Sequence, residues 1–560
     1  MTSNAMNGSA VDASRGNELR APLLLALLLF VPMVLLRGAW PVDETRYADV
    51  AQAMRESGQW WVPVLHQKWY FEKPPGFFWA IAGLAELGVP IERGPLLVSL
   101  LAALGTLLLL PSIGRSCGLS TATLRRGGFV LVTAPLFAAY AQLGYIDPLL
   151  AFELCAAFAC AARRTVLPRE RRGARLGLAL LEGLLLAAGL LTKGPVVLLF
   201  ALGWRIGASL ARCRAPGAFA RLDLLVFSIA VGAALAWTVK AQSVAGERYV
   251  DDLIFGQLER RVGGTETKHR RFPGFALLIV LAGMLPWSVL SIGALPRPSR
   301  AWWRPAPRCA ALLGFGLLPS VLIALLPTQQ PHYVLPALPA LALLAGEALA
   351  QPVRRSALRA VGVSGVVLGL ALLATTVVLL YGVSLGKYVD PEATTRFERD
   401  PILLVGLALA GGLLSLVSFA RRRGRDPDVG RIAIAATNAP PNLARPLVGA
   451  TLALALLPIV AWRADSLFGA RELLDAAPIR AAERIVAPTG LRSALRLATG
   501  LPLIEEYDGR KPLALLRDDP RLIAVMWEDE LARFGLEGSD RVVARGHLQG
   551  RALVALRGGP

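Results

Sequence analysis

Long apolar runs, interrupted by short arginine-rich or proline-rich stretches, dominate the pattern of this 560-residue chain. A helix needs roughly 20 mostly apolar residues to cross a bilayer, and fewer where flanking side chains snorkel. The runs 21–37, 94–113, 127–143, 148–162, 176–191, 195–211, 222–239, 273–295, 309–326, 334–351, 360–382, 401–420 and 446–463 predict thirteen spans. One more apolar stretch, 76–89, is short, carries Glu86 and follows a polar loop; it predicts an interfacial helix. The first run has no small-residue cleavage site behind it and is read as an uncleaved span.

Charge then orients the threading. With the N-terminus inside, the inner loops 1–20, 114–126, 163–175, 212–221, 296–308, 352–359 and 421–445 hold 27 Lys+Arg against 5 Asp+Glu. The outer segments are nearly neutral, as the positive-inside rule requires. Counting 76–89 as a span would reverse every later loop and put the arginine clusters outside. Composition agrees: 54% hydrophobic, 18% charged and a mean hydropathy of +0.51 exclude disorder and a soluble nucleic-acid binder, despite a net charge of +20. The five cysteines form no CxxC pair.

The domain reading is therefore a cytoplasmic tail 1–20, a transmembrane domain 21–463 with an outer loop 38–93, and an outer soluble domain 464–560. In the last of these, 522–527, 541–545 and 551–556 read as strands, the final pair joined around Gly546–Gly550. A small α/β domain follows.

Chemistry-bearing residues gather on the outer side. Asp43, Glu44, Thr45, Arg46 and Tyr47 follow span one directly. Tyr47, Val50, Ala51 and Met54 fall at helical spacing, a stripe suited to the membrane interface, and Gly58 would stop the helix. Asp43 reads equally well as an N-cap of that helix and as a fixed functional carboxylate. Tyr70, Phe71, Glu72, Lys73, Pro74 and Pro75 hold an acid and a base on a stiffened loop between aromatic anchors. An interfacial aromatic belt is the plainer reading of that segment. Asp147, Lys193, His269 and the His332–Tyr333 pair stand at span ends on the same face. Singly, Asp147 would cap a helix and Lys193 would neutralise a helix dipole. Convergence from distant chain positions favours a site.

With these motifs the sequence resembles the polytopic glycosyltransferases of GT-C fold, nearest to the aminoarabinose transferase branch related to protein O-mannosyltransferases. The segments Leu191–Pro195 and His332–Pro336 extend the resemblance in the same order. It implies an enzyme of the bacterial inner membrane, with about 13 helices and a C-terminal periplasmic domain. It implies transfer of a sugar from a polyprenyl-phosphate donor to a lipid or glycolipid acceptor such as lipid A, with inversion. Asp43 is then the essential carboxylate, and Arg46 and Lys73 oppose the leaving phosphate. Tyr47, Tyr70, Asp147, Lys193 and Tyr333 line the substrate cavity. Glu72 and His269 are the implied ligands of a zinc-like divalent metal; no nucleotide cofactor and no nucleic acid is expected. The branch often carries a Lys before its Pro-x-Tyr element, where Gln329 and Gln330 stand here.

Two other readings remain at this level: transfer to protein Ser/Thr, and a transporter of a lipid-linked substrate. A transporter would concentrate its polar sites near mid-membrane. The in-span acids are few, among them Glu153, Glu182 and Glu347, whereas the polar cluster lies at one surface.

Overall fold

The structure is a computed structural model. It describes residues 18–212, 220–256, 259, 263, 270–294, 307–350, 470–506, 516, 519–536, 538–548 and 551–559. The three expected spans within 360–463 and the expected ligand His269 lie outside the described residues.

The apolar runs are helices: α1 (Arg20–Leu36), α4 (Gly94–Ser116), α5 (Thr121–Thr133), α6 (Pro135–Tyr140), α7 (Ile146–Val166), α8 (Arg172–Lys193), α9 (Val196–Arg212), α10 (Ala220–Ala245), α12 (Phe275–Gly283), α13 (Trp287–Ala294), α14 (Pro307–Ala324) and α15 (Leu338–Ala348). Outside them stand α2 (Asp43–Ser57), the hairpin β1 (Val64–Leu65) and β2 (Lys68–Trp69), α3 (Gly76–Glu86) and α11 (Glu247–Asp251). Among the described residues, three helices are individually long and apolar enough to cross a membrane: Ile91–Ser116, Arg172–Lys193 and Arg221–Ala245.

Proline divides several expected spans. The run 127–143 is two helices, because Pro135 offers no N–H to continue α5. The run 273–295 likewise breaks between α12 and α13 at Leu285–Pro286. The run 334–351 begins as a 3₁₀ turn over Pro331–Ala337 before α15.

The interior is packed through small residues and rings. Gly203 and Gly207 on α9 face Gly314 and Ala310 on α14, and a Cβ at Gly207 would collide with the Ala310 carbonyl. Without a hydrophobic drive between helices in lipid, such close backbone approach is what holds a pair together. Phe158, Trp204 and Phe315 stack beside this crossing, with ring centroids 5.0–5.6 Å apart. At one end of the bundle Arg164 and Arg205 meet Glu182 and Asp223 in a buried four-charge cluster, with Arg164 3.0 Å from Glu182 and 2.5 Å from Asp223. Glu347 accepts from Thr123 (2.8 Å) and Glu153 from Thr192 (2.9 Å). The in-span acids are thus engaged with neighbouring helices.

The stripe of α2 departs from expectation. Tyr47, Val50, Ala51 and Met54 face protein, packed on Phe77, Phe78 and Ile81 of α3 and on Val98 and Ile146. The two amphipathic helices bury their apolar faces against each other and on α4, which removes the stripe from the interface. Helix α3 spans eleven residues.

Residues 470–559 build a second core around a five-stranded sheet in the order β4-β3-β5-β7-β6. Its strands are β3 (Arg484–Ala487), β4 (Glu505–Glu506), β5 (Leu522–Trp527), β6 (Val542–Leu548) and β7 (Arg551–Arg557). The short helices α16 (Arg471–Leu474), α17 (Ala477–Arg480), α18 (Arg492–Thr499) and α19 (Leu531–Phe534) accompany it. β3 runs parallel to β4 and β5, while β7 pairs antiparallel with β5 and β6. Alternate residues of β5 face opposite ways, with Ile523 and Val525 in one core and Leu522, Ala524 and Met526 in the other. Gly546 lies within β6 and not in the expected turn; Leu548 pairs Arg551, which leaves only 549–550 between the strands. A Cβ on Gly546 would stand 2.8 Å from Leu473 Cβ, so the glycine admits α16 onto the sheet.

Replacing Gly207 with Leu should force α9 and α14 apart. We expect a loss of folded, monodisperse protein in detergent by thermal-aggregation assay, whereas Leu235→Ala on the exposed face of α10 should leave it unchanged.

Candidate functional site

Helix α2 begins at Asp43, with Val42 at the cap position and no side-chain cap. The N-cap reading of Asp43 is therefore wrong: its carboxylate is not spent on backbone N–H groups. One oxygen accepts from Arg46 Nη2 at 2.5 Å, one helical turn on, and the other from the Tyr145 hydroxyl at 3.1 Å. Arg46 also faces Glu72 at 3.8 Å and lies 5.7 and 5.9 Å from the Tyr47 and Tyr70 ring centroids. Tyr70 donates to Glu72 at 3.0 Å.

The line continues into the bundle. The Tyr145 ring stands 5.2 Å from Tyr140 and 5.6 Å from His332. His332 Nδ1 lies 3.4 Å from the Tyr140 hydroxyl and its Nε2 3.8 Å from Asp147 Oδ2. The other Asp147 oxygen accepts from Lys193, whose ammonium sits 4.7 Å above the Tyr333 ring. Asp147 is in the first turn of α7 and makes no cap bond, while Lys193 is the last residue of α8. The capping reading of Asp147 thus gives way to this pair, while Lys193 keeps its place at the C-terminal end of α8.

Two devices position this line. The first is buried: Arg37 is fully enclosed and grips Glu44 with two bonds of 2.6 Å. Glu44 also accepts from the Trp40 N–H at 2.8 Å and the Gly144 N–H at 2.7 Å, and Arg37 donates to the Gln142 carbonyl at 2.7 Å. One carboxylate ties the end of α1, the start of α2 and the loop bearing Tyr145. The second is steric: a Cβ at Gly76 would lie 2.8 Å from both the Leu191 carbonyl and Thr192 Oγ1. Glycine there lets the turn after Lys73 rest on the corner carrying Lys193.

Of the expected residues, Asp43, Arg46, Tyr70, Glu72, Asp147, Lys193 and Tyr333 come together. Tyr47 is only 5% exposed, its ring edge-on to Phe77 at 5.5 Å beneath Arg46. Lys73 donates to the Glu72 carbonyl at 3.1 Å. Arg37, Tyr140 and Tyr145 complete the site and were not singled out from sequence, while Glu44 and His332 were noted there only as members of their motifs, without a role. Tyr145 and His332 do adjoin the expected Asp147 and Tyr333, and that adjacency was the available signal. Gln329, one of the two glutamines standing where the branch often carries a Lys, is fully buried. Its amide donates to the Leu326 and Ala324 carbonyls at 2.7 and 3.1 Å, and its oxygen accepts from the Ala276 N–H at 2.8 Å. It closes the end of α14 onto α12.

Electrostatics set donor and acceptor roles. Burial, with the nearby Asp43 carboxylate, pushes the Tyr145 phenol well above its ordinary range. Burial does the same to Tyr70, with Glu72 contributing and Arg46 opposing. Both phenols remain protonated donors at neutral pH. Burial works against the Arg46 charge, but Tyr70, Asp43 and Glu72 outweigh it and hold the guanidinium above its usual range. Among the described residues no group of three or more His, Cys, Asp or Glu is arranged to hold a metal ion.

The sheet-bearing C-terminal part touches α2. Arg496 on α18 pairs with Asp49 and Glu56 of α2, and His66 lies 3.3 Å from both Asp49 and Ser493. Sequence reading treated 464–560 as a separate unit and missed this docking.

Truncating Arg37 to Leu would leave the Glu44 carboxylate buried and unpaired, a change that costs about 3–5 kcal/mol. We expect a marked drop in melting temperature with Arg37→Leu, partly restored by adding Glu44→Gln, measured by intrinsic fluorescence in detergent.

Comparison with known proteins follows from this geometry. The family model described as dolichyl-phosphate-mannose-protein mannosyltransferase matches residues 20–211. Two curated relatives are named undecaprenyl phosphate-alpha-4-amino-4-deoxy-L-arabinose arabinosyl transferase. The one from Pseudomonas paraeruginosa is 32% identical over 401 residues, 70% of each chain. The one from Pseudomonas aeruginosa is 33% identical over 411 residues, again 70% of each. The crystal structure of ArnT from Cupriavidus metallidurans in the apo state superposes with a TM-score of 0.70 at 21% identity, covering 98% of both chains. The form of that protein bound to undecaprenyl phosphate gives 0.69 at 20% identity, covering 95% of this chain and 96% of that one. Sequence and fold agree, and the chain belongs to the undecaprenyl phosphate-aminoarabinose arabinosyl transferase family of membrane glycosyltransferases.

Proposed function

We propose that the line from Glu72 to Lys193 is the place where a polyprenyl-phosphate sugar gives up its sugar. The enzyme is a glycosyltransferase with a polyprenyl-phosphate donor, as its relatives' names state of them. The acceptor is a lipid such as lipid A. The observation that carries this reading is the Asp43 carboxylate, held by Arg46 on one side and Tyr145 on the other, in line with a second cation at Lys193.

In the transfer the sugar C1–O bond to the lipid phosphate breaks and a bond from C1 to the acceptor oxygen forms on the opposite face, with inversion. Negative charge grows on the departing phosphate. Fixed cations aimed at developing charge lower the barrier more than the same cations in water. Arg46 offers two parallel N–H donors, and Lys73 and Lys193 compact ammonium charges. A hydroxyl acceptor loses its proton to Asp43 as general base. A phosphate acceptor is already ionised, and Asp43 then stabilises the positive charge building at C1. Tyr47 and Tyr70 line the cavity beside Arg46, Tyr333 lines it beside Lys193, and Asp147 orients Lys193.

The full architecture proposed is about 13 spans, an N-terminus in the cytoplasm, and the site and residues 464–560 on the periplasmic side of the inner membrane. The charge asymmetry of the loops supports it. A divalent, zinc-like cation held by Glu72 and His269 is part of the proposal. What supports it within the described residues is one carboxylate, already 3.0 Å from Tyr70 and 3.8 Å from Arg46, and no step of transfer is routed through the metal.

Asp43→Asn and Lys73→Ala should each lower sugar transfer by about 10²-fold or more while the protein remains in the membrane. Transfer is read by mass spectrometry of envelope glycolipids from deletion cells carrying each variant; full transfer in both contradicts the assignment. Metal analysis of purified protein should give about one zinc-like ion per chain, lost in Glu72→Gln and in His269→Ala. An equal metal content in all three removes the ion from the proposal.

A further inference from the structure

His332 carries no role in the transfer described above, although it stands between the two halves of the site. Its ring contacts Tyr140, Tyr145 and Tyr333 at centroid distances of 5.6, 5.6 and 5.0 Å. Nδ1 lies 3.4 Å from the Tyr140 hydroxyl, and Nε2 faces Asp147 Oδ2 at 3.8 Å, within ion-pair reach but longer than a hydrogen bond. Among the described residues, it faces Tyr140 of α6, Tyr145, Asp147 of α7 and its neighbour Tyr333, with Lys193 of α8 across Asp147. Helix α12 carries no charged residue. The single charged residue of α14, Arg308, is in its first turn, and Glu347 of α15 is engaged by Thr123.

Charge bookkeeping gives this placement a consequence. Along the line, the three carboxylates Asp43, Glu72 and Asp147 stand against the three cations Arg46, Lys73 and Lys193. A donor phosphate adds one negative charge. If Lys193 turns to that phosphate, Asp147 loses its partner. The Asp147 side chain is only 3% exposed, so water cannot replace the ammonium. A buried carboxylate left without a partner is costly, and among the described residues His332, 3.8 Å from Asp147, is placed to gain a positive charge.

We infer that His332 takes up a proton when the donor phosphate binds, closing on Asp147 as an imidazolium and releasing Lys193 to the phosphate. The inference rests on the polyprenyl-phosphate reading of the site. It makes His332 a positioning residue that acts on Lys193 through Asp147. The proton comes from solvent and returns to it when the lipid phosphate leaves; no covalent bond changes. Donor binding then weakens as pH rises past the histidine range, by at most tenfold per pH unit for one linked proton.

The test is isothermal titration calorimetry of the full chain in nanodiscs with a polyprenyl methyl phosphate, a diester whose single charge does not titrate in the measured range. Running it in two buffers of different ionisation enthalpy counts protons taken up. At about pH 7.5 the wild type should take up most of one proton per ligand, falling towards none near pH 5, where imidazole is already charged. His332→Gln should still bind, with uptake abolished and affinity no longer dependent on pH. Should that variant fail to fold, the wild-type pH series decides alone. Equal uptake in the variant, or no uptake by the wild type while it binds, overturns the inference and leaves the donor reading intact. A wild type that does not bind the diester at all overturns both.

Discussion

The site depends on one buried carboxylate. Glu44 gathers the Arg37 guanidinium and the N–H groups of Trp40 and Gly144, joining the end of α1, the start of α2 and the loop before α7. An acid so enclosed is tolerable only when every acceptor position is filled, and filling them fixes three chain segments relative to one another. Asp43 is next to Glu44, and Tyr145 is next to Gly144. Asp43, the carboxylate proposed to act in transfer, is therefore placed by its neighbour.

That arrangement explains why so short a helix can carry a site. Helix α2 is held from three directions. Glu44 anchors its start, the Tyr47–Met54 stripe packs on α3, and Arg496 of α18 grips Asp49 and Glu56. Arg46 falls between these restraints, so its guanidinium meets Asp43 and Glu72 with little freedom to lose when a ligand arrives. The sheet-bearing C-terminal part thus bears directly on the helix that begins with Asp43.

Much of this was legible in the sequence because it rests on local pattern. Apolar runs mark the helices, Gly58 with φ 67° ends α2, and the strands 522–527 and 551–556 are β5 and most of β7. Convergence of Asp43, Arg46, Glu72, Asp147 and Lys193 was readable from which span ends share a face. Partner identity was not. Nothing local tells that Asp147 meets Lys193 and does not cap its own helix, since both satisfy the same charge. The Tyr47 stripe was assigned to lipid because its periodicity is the same whether it faces lipid or protein; α3 decides. Gln329 stands where the family often has a Lys, yet its amide closes a backbone gap between α12 and α14 that no sequence pattern announces.

A density map of the full chain with undecaprenyl phosphate bound in nanodiscs tests the central claim most directly. The account predicts the phosphate within about 4 Å of the Arg46 guanidinium and the Lys193 ammonium, with Asp43 beside the open face of the phosphate. A phosphate seated instead at the opposite end of the bundle, by Arg164 and Arg205, would contradict it.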